Sequence, residues 1–441
     1  MDLTLDFIER LLSGSLPFVL TVSVGGYFTF KTRFYQFRKF YSAMQVIKPQ
    51  KGQGKAPFFA MCSSLSSAIG TGNIVGVAAA ISLGGAGAVF WMWISAILGM
   101  VIKSGEIALG ISYRQKKDDK FVGGPMYYIK NALPKGFGIL SWVFAFLGVF
   151  ASFFCGNITQ INSAVSSVSE NIFVRFLFGL SAAFITFFVI FGGVQKIGNF
   201  LCRVLPFMAI LYTLLCLGVI IVNFGALDEA FYKIFVGAFN PKAVSGGCIG
   251  RVINVISVGA SKGIFSNESG LGTAAVAHAG VQNTTPQKES LFGIFEVFVD
   301  TIFICTLTAL TILTSGVIID YGTVSDTPLT LNAISTVYGG FSSFVLNLML
   351  LLFGISSVIG WGLYGISFCN FLFGKTGVKL YVFIYPLFCI IGALSSVDTV
   401  WRLSELFNGV MVIINLFAMI FLSKDVINIL KDDLNDKAKN R

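Results

Sequence analysis

Apolar runs of roughly membrane-spanning length follow one another along the chain, separated by short polar stretches. A hydrocarbon core ~30 Å thick needs about 20 apolar helical residues to cross it. Eleven segments are expected to cross: 12–30, 58–82, 84–112, 138–165, 174–193, 201–223, 246–281, 289–316, 341–372, 378–396 and 404–423. Two of them, 58–82 and 246–281, are interrupted by glycines and polar residues: Gly70-Thr71-Gly72-Asn73 in the first, and Phe265-Ser266-Asn267-Glu268-Ser269-Gly270-Leu271-Gly272 in the second. In lipid each backbone N–H and C=O needs a partner inside the protein, so broken helix survives only where it lines a cavity or is wrapped in protein. A half-helix N-terminus offers free N–H groups and a positive dipole end, which suit a carboxylate. A half-helix C-terminus offers carbonyls, which suit a small cation.

The breaks fall in the second and seventh segments, five apart. Spans 2–11 therefore divide into two five-helix sets, and because five is odd the sets have opposite membrane orientation. One broken helix at the same place in each half of an inverted repeat is the pattern of a secondary transporter with its site at the midplane. The expected organisation is an extra span and basic loop over 1–57, a first repeat over 58–223, a second over 246–423, and a charged tail over 424–441. Gly84, Gly85 and Gly87 read as close-packing contacts between helices. GTGNIVG is a poor phosphate loop: no strand precedes it, its spacing is GxGxxxG, and no phosphate-handling lysine follows. Val122–Leu133 predicts a turn and a short interfacial helix that anchors the surface, with a gating element as the alternative.

Composition removes the soluble alternatives. Hydrophobic residues make up 55% of the 441, charged residues only 12%, and the mean hydropathy is +0.82; a soluble domain needs more polar surface. The first ten residues carry three acids and one base, unlike a cleavable leader, so the first apolar run is expected to stay as a span. The net charge is +10, and its distribution predicts topology. Lys31, Arg33, Arg38, Lys39, Lys48, Lys51 and Lys55 crowd the first loop, and Arg114, Lys116, Lys117, Lys120, Lys130 and Lys135 the next one on that side, against Asp118 and Asp119. Lys196, Arg203, Lys288, Lys375, Lys379 and the tail bases Lys424, Lys431, Lys437, Lys439 and Arg441 share it. Asp228, Glu229, Asp320, Asp326, Asp398 and Glu405 mark the opposite side, whose loops are all short. The N-terminus is then outside and the C-terminus cytoplasmic, in the plasma membrane of a prokaryote. The eight cysteines form no CxxC pair and sit in apolar runs, as reduced small hydrophobes do. A single histidine, His278, leaves little for metal-centre or Ser-His chemistry. The tail reads as a solvated helix with no assigned role.

Several long motifs occur together: GTGNIVGV (70–77), GGAGAVFWMW (84–93), Tyr113-Arg114, GGPMYYI (123–129), GNITQINS (156–163), SNESGLGTAAVAHA (266–279), DTIFICTLTAL (300–310) and GWGLYG (360–365). In these the chain resembles the alanine or glycine:cation symporter family, the sodium:alanine symporters, over nearly its whole length. The resemblance implies an all-α integral membrane fold of eleven transmembrane helices. Spans 2–11 would form two inverted five-helix repeats with two discontinuous helices, a LeuT-like fold. It also implies roles. The amides of Gly70, Thr71 and Gly72 would hold the carboxylate of an amino acid. Asn73 would ligate a sodium ion beside it, with Ser266 as co-ligand. Asn267, Glu268 or carbonyls near them would receive the ammonium. Gln160 would face the substrate, and Trp361 and Phe265 would close the pocket, whose glycine-dense walls imply alanine or glycine. By fold analogy a second sodium would lie between the carbonyls of Ser66 and Ile69 and the hydroxyls of Ser356 and Ser357. Three positions depart from the family pattern: Ala86 for a common Pro, Lys262 for Arg, and Ile366 for an acid.

Charges inside a span default to function. Asp300, followed by Thr301, reads as a cation-coupling residue or an orienter of the second break, with a structural pair to Lys262 as the alternative. Glu106 and Lys103 read as a salt bridge near the inner end of span three, with Glu296 similar. His278 reads as a packed helix residue, with a proton carrier as the alternative. The function expected is symport: sodium entering down its gradient draws in a small neutral amino acid. Proton coupling through Asp300 and Glu268, or a non-transporting amino-acid sensor on the same fold, are the alternatives. A channel filter needs a ring of carbonyls, usually from several subunits, and an intramembrane protease needs a Ser-His dyad or paired aspartates. No catalytic residue, organic cofactor or nucleic-acid partner is expected; the partners are the substrate, sodium and membrane lipid.

Overall fold

In the computed structural model, residues 11–47, 56–117, 120–242, 252–322 and 327–431 are described. Lys48, Lys51, Lys55, Asp118, Asp119, Cys248, Asp326, Lys437, Lys439 and Arg441, which entered the reading above, lie outside them. Helices dominate. In chain order they are α1 (Leu16–Lys31), α2 (Ala56–Ala68), α3 (Val75–Gly84), α4 (Gly87–Ser112), α5 (Pro125–Ala132), α6 (Gly138–Phe153), α7 (Thr159–Ser166), α8 (Ile172–Phe191), α9 (Gly193–Val222), α10 (Leu227–Phe239), α11 (Val252–Asn267), α12 (Thr273–Ala279), α13 (Pro286–Thr314), α14 (Thr327–Tyr338), α15 (Phe341–Ile384), α16 (Phe388–Leu394), α17 (Val397–Phe421) and α18 (Ser423–Lys431). A small hairpin, β1 (Gln115–Lys117) against β2 (Lys120–Val122), pairs Lys116 with Phe121.

Among the described residues, seven helices can cross a membrane by length and composition, or eight when the bent pair α2 and α3 counts as one span. This is fewer than the eleven apolar runs, for local reasons. α1 is only 16 residues long. The run 246–281 is split into α11 and α12, each too short alone. Runs 341–372 and 378–396 merge into one helical stretch, bent at Gly374, where φ is +63°.

α4 lies at the centre, buried along most of its length against α11, α12 and α13. α8 and α9 stand outermost and turn Ile172, Phe173, Phe184, Phe188, Phe191, Ile210 and Ile221 outward. Such an apolar exterior fits lipid rather than water.

Three local expectations change. The loops on the acidic side are not merely short connections: α10 and α14 occupy two of them. α10 packs on α4 at Gly87, where a Cβ would come within 2.1 Å of the Gly237 carbonyl carbon. That contact supports the close-packing role of Gly87. Second, α5 is no surface anchor. Pro125–Ile129 are buried, and Tyr128 donates a hydrogen bond to Asn415 Oδ1. Third, the tail begins as α18, which buries Val426 and Leu430 and is held where the Tyr113 hydroxyl donates to Asp425 Oδ2 at 2.6 Å.

Candidate functional site at two helix breaks

At the first break, α2 ends at Ala68 and the chain bends by 57° into a short 3-10 turn, Thr71–Asn73, that leads into α3. Two donors at this helix start meet one acceptor: Thr71 N–H and Thr71 Oγ1 both donate to Gln160 Oε1, at 3.0 and 2.9 Å. Gln160 sits on α7, just after a π-turn over Phe154–Ile158. It comes so close that a Cβ on Gly70 would lie 2.6 Å from its Oε1, so a side chain there would push the Gln160 carboxamide aside. On the other side, the Phe265 ring lies 3.7 Å from where a Gly72 Cβ would be. At the C-terminal end of α2, the Ser357 hydroxyl donates to Ser67 O at 2.9 Å.

The second break is built differently. Glu268, Gly270 and Gly272 all have left-handed backbone, with φ of +56°, +91° and +81°. A side chain at Gly272 would also strike Pro125 of α5, 2.2 Å away. Both half-helix ends meet charges of the protein itself. Gly272 N–H donates to Glu106 Oε1 at 3.1 Å, and Asn415 Nδ2 donates to the same oxygen at 2.5 Å and to Gly270 O at 2.8 Å. At the other end, Lys103 Nζ donates to Asn267 O at 3.0 Å. Lys103 and Glu106 are thus not each other's partners, as the sequence suggested. Each serves one end of the second break, and Lys103 makes its ion pair with Glu296, at 3.2 Å.

Asp300 ties the breaks together. It lies in a second π-turn, Phe298–Cys305, within α13; such turns are frequent at functional sites. Its Oδ1 accepts from Asn73 Nδ2 at 2.7 Å, and its Oδ2 from Ser266 Oγ at 2.8 Å and Thr301 Oγ1 at 2.7 Å. Asn73 Nδ2 is also 3.1 Å from Ser266 Oγ, and Asn73 O accepts from Thr308. Among the described residues Asp300 has no ion pair. Lys262, the partner the sequence offered as an alternative, pairs instead with Glu405 at 2.9 Å and lies over the Trp401 ring.

The other expected site residues divide. Glu268 accepts from Thr273 Oγ1 at 2.7 Å and lies near Trp361, which is itself buried against Gly156. Phe265, Glu268 and Ser269 line a small, partly open pocket with Ser261, Glu405 and Asn408. Asn267 is spent on structure: its Nδ2 donates to Thr301 at 3.2 Å, its Oδ1 accepts from Ser269 N–H, and its carbonyl takes Lys103. Ser357 lies beside the first break, 3.1 Å from where a Gly70 Cβ would be, but Ser356 turns to Phe353 O and Met208 Sδ. The Ser66 hydroxyl is buried without a partner. Ile366 packs among apolar neighbours. Sequence reasoning missed how Thr308, Asn415 and Tyr128 brace the breaks. Each reaches its partner across more than 140 positions, and no local pattern marks such contacts.

Two interrupted helices, wrapped by protein and facing each other across a buried carboxylate in an apolar bundle, define a membrane transporter rather than an enzyme. The chain belongs to the sodium:alanine symporter family, whose sequence profile matches residues 1–441. It is 36% identical to the sodium/alanine symporter AgcS of Methanococcus maripaludis, covering 94% of this chain and 93% of that one. It is also 36% identical to the probable sodium/glutamine symporter GlnT of Bacillus subtilis, with 97% and 89% covered. Among solved structures it resembles a manganese transporter of Eremococcus coleocola at a TM-score of 0.53, with 14% identity and 87% of each chain covered. That likeness concerns the fold alone.

Proposed function

We propose that this chain is a sodium-driven symporter that takes up a small neutral amino acid, alanine or glycine, by alternating access. It would sit in a prokaryotic plasma membrane with its N-terminus outside, as eleven spans of which 2–11 form a LeuT-like inverted repeat. One contrast carries the reading. The second break has its own anion at the helix start, Glu106, and its own cation at the helix end, Lys103. The first break has only neutral groups at the same places, Gln160 and Ser357. A positive helix end capped by a neutral carboxamide gains most when a carboxylate replaces it.

In this reading the substrate carboxylate displaces Gln160 Oε1 from Thr71 and lies at the amides of Gly70, Thr71 and Gly72. Its ammonium points toward Glu268, and Phe265 and Trp361 cover the side chain. Sodium sits at the Asp300 carboxylate with Ser266. A half-turn of the Asn73 carboxamide presents its oxygen to the ion. Oxygen donors around one buried carboxylate suit a hard monovalent cation. Binding both ligands neutralises the Asp300 and substrate charges together, which favours an occluded state only when both are present. A second sodium near Ser357 and the carbonyls of Ser66 and Ile69 has weaker support, since Ser356 faces elsewhere.

Uptake of labelled alanine into proteoliposomes under a sodium gradient, challenged with excess glycine, alanine or glutamine, tests the substrate class. Competition by alanine and glycine and not by glutamine is expected; stronger competition by glutamine would overturn the small-substrate reading.

A further inference from the structure

Four buried ionisable side chains lie in one line, and the transport reading uses only the first of them. Lys103 on α4 meets Glu296 Oε2 on α13 at 3.2 Å, and the Ser64 hydroxyl donates to that same oxygen at 2.6 Å. Glu296 Oε1 lies 2.8 Å from His278 Nε2 on α12. His278 Nδ1 lies 2.7 Å from Glu289 Oε1 at the start of α13, and Glu289 Oε2 accepts from Thr284 at 2.7 Å. His278, Glu296 and Lys103 are fully buried and Glu289 is 1% exposed. Cys62 and Tyr364 also face Glu296. The Phe292 ring lies 5.3 Å from the imidazole. Arg114, past the end of α4, donates to the carbonyls of Ala279 and Val281 and faces Glu289. Lys103 also feels the charges of Glu268 and Asp300.

A neutral imidazole has one N–H and one bare nitrogen. A ring with carboxylate oxygens at hydrogen-bond distance on both sides cannot satisfy both while neutral, unless one carboxyl carries the proton instead. Either way the triad holds one proton more than a neutral histidine beside two carboxylates. The extra proton puts a positive charge between the two carboxylates, where Glu296 also meets Lys103 and Glu289 also faces Arg114.

We propose that His278, Glu289 and Glu296 form a proton-binding site whose resident proton latches the half-helix after the second break to the start of α13. The proton bonds to a ring nitrogen and no other bond changes. Losing it turns one of the two His278 hydrogen bonds into a lone-pair contact and frees α12 from the 284–290 turn. The site is separate from the sodium and substrate positions and does not depend on which amino acid is carried.

Because the chain has a single histidine, nitrogen NMR of the full-length protein labelled with ¹⁵N-histidine in detergent micelles reads this ring alone. At neutral pH both ring nitrogens should show directly bonded protons. In Glu289→Gln the second proton should be lost at a lower pH than in the wild type, and in Thr284→Val, which removes a competing donor from the Glu289 carboxylate, the shift should be smaller and in the opposite direction. A bare ring nitrogen in the wild type at neutral pH would overturn the proposal, as would an unchanged titration in Glu289→Gln. None of these readings needs transport, so they stand apart from a failed uptake assay.

Discussion

Asn73 donates to Asp300 at 2.7 Å across 227 positions of sequence, and in doing so joins the first helix break to the π-turn of α13. Ser266 of the second break bonds to the other oxygen of the same carboxylate. One buried charge thus holds both interrupted helices, with no ion pair of its own among the described residues and with the more distant charge of Lys103 acting on it. That places Asp300 where an incoming cation would change the most contacts at once.

Asp300→Asn keeps the size and much of the hydrogen bonding but removes the charge. The sodium concentration for half-maximal uptake should rise at least about 10-fold, equivalent to ~1.4 kcal/mol, while the protein still extracts as a folded species. A sodium titration of uptake in proteoliposomes reads this directly; an unchanged curve would separate Asp300 from the ion.

Gln160→Glu would fix a carboxylate at the first helix start, where Thr71 offers both of its donors. It should act as a built-in competitor and sharply reduce uptake. Thr71→Val removes one donor and should weaken substrate binding by about 0.5–1.5 kcal/mol, the net worth of a typical hydrogen bond. Binding of labelled alanine to the purified variants distinguishes a lost site from a slowed transport cycle.

Lys103→Met takes from Glu296 one of its two partners, leaving His278, and leaves Asn267 O short of its donor. Breaking a buried pair from one side costs about 3–5 kcal/mol, so the thermal melting temperature in detergent should fall markedly. Lys103→Met combined with Glu296→Gln should recover part of the loss. If the double variant is no more stable than the single one, the pair is not the main role of Lys103.

Gly156→Ala would put a methyl within 2.3 Å of the Trp361 Cβ. Overpacking of this kind costs about 1–3 kcal/mol. It should shift Trp361 away from Glu268 and lower uptake more than it lowers thermal stability; comparing uptake with melting temperature checks this.

Much of this architecture was legible in the sequence because its signals are local. Glycine and polar residues inside apolar runs marked both breaks, and the isolated Asp300 stood out against an apolar background. Gln160 was singled out by a motif, and the structure places it on Thr71. The partners of Lys103, Glu106 and His278 were not legible. Lys103 and Glu106 are three residues apart on one helix, which suggested a pair, yet each is drawn to a different end of the second break, because a half-helix dipole there offers each a better partner. His278 read as packing because Glu289 and Glu296 come from the next helix. α5 looked interfacial from its own residues and is buried because α6, Gly272 and Asn415, distant or separate in sequence, pack against it.

The central claim is that the first break binds an amino acid together with sodium. Labelled alanine uptake into proteoliposomes, with an inward sodium gradient and then with potassium in its place, tests it most directly. Uptake with sodium and none with potassium is the predicted result. Uptake indifferent to sodium but driven by an inward proton gradient, or no alanine flux under either gradient, would contradict it.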